Sequence, residues 1–323
     1  VGGAGAVFFF KKFKNSTSSQ LPGLQPVSPQ YQRQHLTFFK GLWPAPGEED
    51  NFINSLDEIK DWGVNIVPVV ASFCVRGDEI EPIVYGPPWL RGQQEKIVKN
   101  RIEKIHQAGL AVELDLGTLD PQCETEIQNK DNFINQFPTI VQKWAKIAED
   151  YQVELFSPLN EPNFALKGRQ TEWAQKILPI VKQVYSGDVV LKVADVGQEG
   201  IDFTGYDYAG FDVYAEDLTE WQTRLPEVLQ RAEEVKTKYN LKGVFFGETG
   251  AIIHRDPHDP LLAGGVFTET EQAQFFEILF EQAWDKVAGF FIMNWSKSDN
   301  SSYNIHGKPA EEVIKKWFKG GVE

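Results

Sequence analysis

Residues 153–162 read VELFSPLNEP, and this stretch shows the pattern on which the fold prediction depends. Its apolar first half ends directly in the polar residues Asn160 and Glu161. It lies between the stretches 131–150 and 171–185, where apolar residues recur at the three- and four-residue spacing of amphipathic helices. A short apolar strand between two such helices is typical of the βα units that build parallel sheets.

The same unit repeats along the chain from Gln34 onward. Eight strands are predicted near Leu36–Leu42, Asn65–Phe73, Leu110–Leu116, Val153–Leu159, Val189–Ala194, Gly210–Tyr214, Gly243–Gly247 and Gly289–Asn294. Helices are predicted over Asn51–Trp62, Gln93–Gln107, Asp131–Asp150, Thr171–Tyr185, Trp221–Tyr239, Glu269–Lys286 and Pro309–Phe318. No strand is followed by a GxGxxG motif, so a dinucleotide-binding fold has no support. We therefore predict an α/β protein with a single (β/α)8 TIM barrel over residues 31–323.

Residues 1–30 are predicted to be a tail and linker outside the barrel. Val1–Phe10 is an apolar run that Lys11, Lys12 and Lys14 follow at once, and residues 15–30 are rich in Ser, Pro and Gln. Ten residues cannot span a bilayer alone. The run fits the cut end of a signal peptide or a membrane anchor, and it also fits a strand or cap packed on the body. The first of these predicts an extracellular or cell-surface protein.

The acidic composition of the chain favours an uncharged binding partner over a negatively charged one. The chain has 46 acidic and 32 basic residues and a formal net charge of −14, so nucleic acid and anionic membrane surfaces are repelled. Neutral polymers are not, and nine Trp suit stacking on sugar faces, although aromatic residues also build cores. The single Met and the scarce Cys indicate a heat-tolerant source. Cys74 and Cys123 are too few for a disulfide framework, and the sequence leaves their pairing open.

Two carboxylates stand where a barrel enzyme has its active site. Glu161 follows the fourth predicted strand and Glu248 the seventh, at the carboxyl ends of the strands. Glycosidic cleavage needs two carboxyl groups, because one protonates the leaving oxygen while the other attacks the anomeric carbon or activates water. Either residue alone could be a helix-capping or salt-bridge residue. Together they favour a catalytic pair.

These motifs carry a resemblance to a known group. The sequence Asn160-Glu161-Pro162 after the fourth strand and Glu248 after the seventh resemble clan A of the retaining (β/α)8 glycoside hydrolases, which includes endoglucanases, β-mannanases, β-1,4-galactanases and β-glycosidases. The resemblance implies that Glu161 is the acid/base and Glu248 the nucleophile, that no cofactor is needed, and that the two carboxyl groups lie about 5–5.5 Å apart. It also implies that Asn160 binds the sugar 2-hydroxyl and that Tyr214 orients the nucleophile.

Members of clan A also share an aromatic residue under the bound sugar and a cation near the catalytic pair. Trp295, at the end of the eighth strand, resembles the aromatic residue under the sugar at the cleavage point, although a core role is the alternative. Many clan members carry an Arg after a Gly-Val-Asn sequence on the second strand, and here Gly63-Val64-Asn65 lacks it. Many also carry a His after the third strand, where this chain has Asp115. Arg76 is the candidate for the missing cation.

Further substrate contacts are expected at the same rim. Trp43 and Trp89 are candidates for outer sugar subsites, and Asp115 for a sugar hydroxyl, with a salt bridge as its alternative. The loop after the seventh strand carries His254, Asp256, His258 and Asp259. This cluster could bind a metal, contact substrate or be a solvated loop. Because its spacing is not a recognised one, we assign His254 to substrate contact and predict no metal site.

The function predicted from the sequence is hydrolysis of a β-linked polysaccharide with retention of configuration, through endo-acting cleavage of a β-1,4-glucan, mannan or galactan. An exo-acting β-glycosidase, which needs a pocket rather than an open cleft, is the alternative within this class. A non-catalytic carbohydrate-binding barrel and a metal-dependent barrel enzyme such as a sugar isomerase are alternatives from other classes. The expected partner is an oligo- or polysaccharide, and the chain is expected to be a monomer.

Overall fold

The computed structural model describes residues 31–84, 92–118, 123–124, 126–194, 196–253, 267–299 and 301–320. The strands in these ranges are β1 (Phe39–Pro44), β2 (Ile66–Arg76), β3 (Glu79–Ile83), β4 (Ala111–Gly117), β5 (Leu155–Ser157), β6 (Asp188–Val193), β7 (Tyr208–Tyr214), β8 (Gly243–Gly250) and β9 (Gly289–Trp295). The helices are α1 (Glu49–Ile53), α2 (Leu56–Asp61), α3 (Gln94–Gln107), α4 (Lys130–Asp150), α5 (Pro162–Ala165), α6 (Gln170–Lys182), α7 (Leu218–Tyr239), α8 (Glu269–Ala283) and α9 (Pro309–Gly320).

The strands close into a barrel. The sheet order is β1-β9-β8-β7-β6-β5-β4-β2-β3, and β1 also pairs with β2. Eight of these strands are parallel neighbours, whereas β3 pairs antiparallel with the far half of β2 and lies outside the ring. The predicted (β/α)8 TIM barrel is therefore confirmed, and each of its eight predicted strands overlaps an observed one.

The main differences lie between β1 and β4. The predicted helix Asn51–Trp62 is two short helices, because Asn54 and Ser55, which bond readily to their own backbone, separate α1 from α2. The β2–β3 hairpin was not predicted. Its turn is Gly77-Asp78, with Gly77 at φ 59°, and a Gly-Asp pair between two strand-like runs is a recognised hairpin signal.

The sequence left the pairing of Cys74 and Cys123 open, and the structure shows that they form a disulfide. Cys74, on the extended half of β2, is bonded to Cys123 with a Cα–Cα separation of 5.4 Å. The bond ties β2 to the segment that follows β4.

Side chains alternate between the two faces of the barrel wall. On β4, Val112, Leu114 and Leu116 join the large core between strands and helices, while Ala111 joins a second cluster inside the ring. That inner cluster is aromatic toward the amino ends of the strands, where Phe39, Tyr208, Phe245 and Phe291 pack together. The inward positions nearer the carboxyl ends carry polar groups instead. They are Glu113, Asp115, Lys192 and Asp212.

The described chain begins at the opposite end of the barrel. Tyr31 stacks on His106 with ring centroids 3.7 Å apart and donates a hydrogen bond to the buried carboxylate of Glu154. Residues 1–30, with the predicted linker and the signal or anchor segment, lie outside the described residues. Within the described ranges, none of the helices has the length and apolar character needed to cross a bilayer.

Candidate active site

The carboxylate of Glu248 is held by donors from three different elements. Asn160 Nδ2 donates to Oε1 over 3.1 Å, and the Tyr214 hydroxyl donates to Oε2 over 2.8 Å. The Lys192 ammonium, on β6, lies 3.5 Å from Oε1. The Glu248 side chain remains 17% exposed and faces the mouth of the barrel. Tyr214 thus contacts the predicted nucleophile, which it was expected to orient, and Asn160, which was expected to bind the sugar 2-hydroxyl, contacts the same carboxylate.

Glu161 lies at the junction of β5 and α5. Its backbone is left-handed, with φ 47° and ψ 53°, and its carbonyl oxygen accepts from Phe164 N and Ala165 N over 2.9 and 3.0 Å. A left-handed backbone is costly for a residue with a side chain, and such conformations cluster at functional sites. Pro162 at the first helical position stabilises the turn, since it lacks the N–H that this position leaves unpaired.

Asp212 links the two glutamates. Its side chain is buried on β7, and burial raises the pKa of its carboxyl well above the usual value. The charges of Glu248 and Glu161 raise this pKa further, while the Lys192 ammonium opposes the rise. The charges of both predicted catalytic carboxylates therefore affect the pKa of the same buried group.

A buried ionic cluster lies directly beneath Glu248, and the sequence analysis assigned only one of its members to the site. Lys192 is fully buried and forms a 3.0 Å ion pair with Asp115. Burial by itself would lower the pKa of Lys192, but the nearby charges of Asp115, Glu113, Asp212 and Glu248 raise it well above its usual value. Lys192 is therefore a permanent cation at the floor of the site. It supplies the positive charge that Arg76, exposed at the end of β2, was proposed to provide.

Two glycines make room for the Lys192 side chain. A Cβ on Gly210 would lie 2.6 Å from Lys192 Cγ, and a Cβ on Gly247 would lie 2.8 Å from Lys192 Cε and 2.4 Å from Asp212 Oδ1. Gly247 also lies in a register shift, since Phe211 pairs with Phe246 but Asp212 pairs with Glu248. This extra residue in β8 turns Glu248 toward Asp212 and Lys192.

Burial also raises the pKa of other side chains around Glu248. Burial, together with the charges of Asp115 and Glu248, raises the pKa of Glu113 to about 8, although Lys192 opposes the rise. Burial likewise raises the pKa of the Tyr214 hydroxyl well above 10, and the charge of Glu248 adds to this rise, so Tyr214 stays a hydrogen-bond donor. Burial also raises the pKa of Asp115, although the Lys192 ammonium opposes the rise.

A cavity of about 240 Å³ reaches this cluster. Trp43, Asp115, Asn160, Glu248 and Met293 line the part that we call the cleft, and residues of α1, β2 and α3 line much of the rest. Trp43 is largely buried, and its Nε1 donates to Gly247 O over 3.0 Å. The Lys192 ammonium lies 4.5 Å from the centre of its ring. Trp43 is therefore next to the nucleophile position rather than at an outer subsite, which corrects the expected location.

Trp295 does not form the expected platform. Its side chain is fully buried and packs against Phe52 and His306, with ring centroids 5.6 and 5.1 Å away. Met293 lines the cleft, and strict alternation would put Trp295, two residues later, on the same face. A register shift between β1 and β9, where Leu42 pairs with Ile292 but Pro44 pairs with Trp295, reverses the alternation, so Trp295 faces the core between strands and helices. Trp295 has no free ring face for a sugar.

The other predicted contacts divide into two groups. Asp115 is at the centre of the site, but it is paired with Lys192, which matches the salt-bridge alternative. Trp89 and the loop with His254, Asp256, His258 and Asp259 lie outside the described residues. In the part of the chain that is described, no group of three or more His, Cys, Asp or Glu side chains could hold a metal ion.

Residues 48–312 match the family model of Glycoside Hydrolase Family 113. The chain belongs to this family. It is thus a retaining glycoside hydrolase, which confirms the predicted enzyme class and the resemblance to clan A. No curated protein sequence matches the chain.

Solved structures of several glycoside hydrolases share the fold. A GH113 β-1,4-mannanase matches 88% of this chain and 100% of its own at 18% identity, with a TM-score of 0.70. The GH113 β-mannanase AaManA from Alicyclobacillus acidocaldarius matches 89% of this chain and 99% of its own at 21% identity, with a TM-score of 0.69. Endoglucanase Cel5A from the hyperthermophilic Thermotoga maritima matches 85% and 96% at 14% identity, with a TM-score of 0.61. At these identities the likeness concerns the fold.

Proposed function

We propose that this family 113 enzyme is an endo-acting β-1,4-mannanase in which Glu248 is the nucleophile and Glu161 the acid/base. The observation that carries the proposal is the environment of Glu248, whose carboxylate accepts from Asn160 and Tyr214 beside a permanent cation and still faces the cleft. A carboxylate that is held in place by donors and accessible from the cleft is suited to attack on an anomeric carbon. The two GH113 mannanase structures that share the fold support mannan as the polymer.

The reaction proceeds in two steps. Glu161 donates a proton to the leaving glycosidic oxygen while a Glu248 oxygen attacks the anomeric carbon, which forms a glycosyl ester and releases the first sugar product. Glu161 then removes a proton from water, and this water displaces Glu248 from the anomeric carbon. Asn160, whose backbone N–H donates to Leu116 O over 2.8 Å, donates from its side chain to Glu248, and in this mechanism it also binds the sugar 2-hydroxyl.

A polysaccharide panel tests the substrate and the mode of action. We expect release of mixed oligosaccharides from β-1,4-mannan and little from β-1,4-glucan or β-1,4-galactan. Preference for glucan or galactan would reject the mannan assignment, and release of a single sugar from chain ends would reject endo action. Binding without any new reducing ends would favour the non-catalytic barrel. Proton NMR of the first-formed product should show the β-anomer, and an inverted product would exclude double displacement.

We also propose that the enzyme works outside the cytoplasm, as a heat-tolerant monomer attached to the cell surface or secreted. The Cys74–Cys123 disulfide supports this location, since disulfides persist mainly in oxidising compartments. Fractionation of native cells tests the location. Recovery of the active enzyme from the cytosol with both thiols free would contradict it.

A further inference from the structure

Among the described residues that hold the Glu248 carboxylate, Lys192 is the donor that carries a charge. Asn160 and Tyr214 provide neutral donors, whereas the Lys192 ammonium is fully buried, 3.5 Å from Glu248 Oε1 and 3.0 Å from Asp115 Oδ2. The face of Trp43, 4.5 Å away, covers one further side of the ammonium. The cation is thus confined to one position beneath the nucleophile, with no water-exposed surface of its own.

The charge of Glu248 changes during the reaction that we propose. It is present in the free enzyme, disappears when the glycosyl ester forms and returns when water displaces the carboxylate. A fixed cation stabilises the charged carboxylate more than the neutral ester. It therefore favours the second step, in which the charge returns, and gives no such help to the first step, in which the charge is lost.

We propose that Lys192 is a positioning residue that speeds the departure of Glu248 from the glycosyl-enzyme, so that hydrolysis of this intermediate depends on Lys192 more than its formation does. This inference rests on the proposed role of Glu248 as nucleophile. Two charges 3.5 Å apart interact strongly even at the effective dielectric constant of about 20 typical of proteins. Even partial charge return in the transition state then corresponds to roughly a 10- to 100-fold effect on rate.

Other titratable groups face the same carboxylate. Asp115 and Glu113 approach from β4, Asp212 and Tyr214 from β7, and Glu161 affects the same cluster through Asp212. Asp115 is the direct competitor, since it shares the Lys192 ammonium with Glu248. Lys192 and Asp115 should therefore have different effects on the second step.

The test uses 2,4-dinitrophenyl β-mannobioside, or the corresponding cellobioside if the wild-type enzyme hydrolyses only that. The excellent leaving group makes the first step fast. For Lys192→Met we expect kcat to fall roughly 10- to 100-fold and KM to fall in parallel, with a rapid burst of one dinitrophenolate per active site, because the glycosyl-enzyme accumulates. A fall in kcat/KM at unchanged KM without a burst would overturn the proposal.

A second variant guards against misfolding. Removing Lys192 alone leaves the Asp115 charge buried and unpaired, whereas Lys192→Met combined with Asp115→Asn removes the pair as a unit. The double variant should show the same burst and the same parallel fall in kcat and KM. Asp115→Asn alone, which keeps the ammonium beside Glu248, should show no burst. A burst in Asp115→Asn, or none in the double variant, would contradict the role of Lys192.

Two control variants distinguish a specific role of Lys192 from a general loss of stability and from a wrong nucleophile. Lys308→Met removes another largely buried Lys, which pairs with the half-exposed Asp299, and should lower thermal stability without producing a burst. Glu248→Ala tests the nucleophile itself, since added azide should restore turnover of the dinitrophenyl substrate. If azide restores turnover by Glu248→Ala but Lys192→Met shows no burst, the proposed role of Lys192 is wrong, while Glu248 remains the nucleophile. If azide does not restore it, the nucleophile assignment fails first.

Discussion

The barrel buries acidic side chains at both of its ends, and the two ends treat them differently. At the amino ends of the strands, each oxygen of Glu154 has two donors: Tyr31 OH and Gln34 N for Oε1, and His106 Nε2 and Val112 N for Oε2. Near the carboxyl ends, neither oxygen of Glu113 or Asp212 has a hydrogen-bond partner among the described residues.

This difference separates a structural carboxylate from functional ones. A buried carboxylate with four donors is stable as an ion and joins the elements that supply the donors. Buried carboxylates without donors shift their pKa and hold protons, which costs stability above their ordinary pKa. The chain bears this cost beneath Glu248, whose carboxylate accepts hydrogen bonds from Asn160 and Tyr214 and still faces the cleft.

The largest effect is expected at the nucleophile. Glu248→Gln should reduce kcat by roughly 10³-fold or more, because a neutral amide cannot attack the anomeric carbon, while the free energy of unfolding changes little. Steady-state kinetics and urea unfolding measure the two quantities, with Glu161→Gln as the companion variant. Near-normal kcat in a folded Glu248→Gln enzyme would contradict the assignment of the catalytic site to the carboxyl ends of the strands.

The next largest effect is a pH dependence of stability that comes from Glu113. Glu113 has a pKa of about 8 in the folded protein against 4.5 when exposed, so its contribution to stability is complete below pH 4.5 and is lost as the pH rises toward 8. Glu113→Gln does not titrate. Its free energy of unfolding relative to wild type should therefore increase between pH 4.5 and pH 8, by up to about 4 kcal/mol. Urea unfolding followed by Trp fluorescence at both pH values measures this, and a constant difference would contradict the assignment.

A substitution at the amino ends of the strands should change stability and leave activity unchanged. Glu154→Ala removes an acceptor that four donors share, and it should lower the free energy of unfolding by about 2–4 kcal/mol. The variant should keep wild-type kcat per folded molecule, since Glu154 lies at the far end of the barrel from Glu248. A selective loss of kcat at full stability would mean that the two ends are coupled.

The smallest expected effect is the loss of one hydrogen bond to the Glu248 carboxylate. Tyr214→Phe removes the donor to Glu248 Oε2 and should lower kcat/KM by about tenfold, which corresponds to the usual contribution of a hydrogen bond to a charged group. Tyr206→Phe is the matched control, because the Tyr206 hydroxyl donates to Ala174 O in the outer core. It should reduce stability slightly and leave kcat/KM unchanged. Equal losses in the two variants would deny Tyr214 a specific role.

Much of the site could be predicted from local pattern. Glu161 and Glu248 each follow an apolar strand directly, and the carboxyl ends of parallel barrel strands share one rim, so both residues are expected at that rim once the fold is known. Lys192 was missed, although a signal was present: a charge inside the apolar run 189–194, like Glu113 and Asp212 in theirs, is expected to face an enclosed polar site. Gly77-Asp78 was a second overlooked signal, for the hairpin.

What the sequence by itself determined is the order of strands and helices, the barrel and the two strand-end glutamates, because apolar periodicity and strand ends are local properties. Only the tertiary structure decided which alternate residues of each strand face inward. Strands buried on both faces read as continuous apolar runs, so their period does not reveal which residues point into the barrel. Closure of the ring and two register shifts make that choice. The shift between β1 and β9 leaves Met293 at the cleft and Trp295 in the core, and the shift at Gly247 brings Glu248 over Lys192.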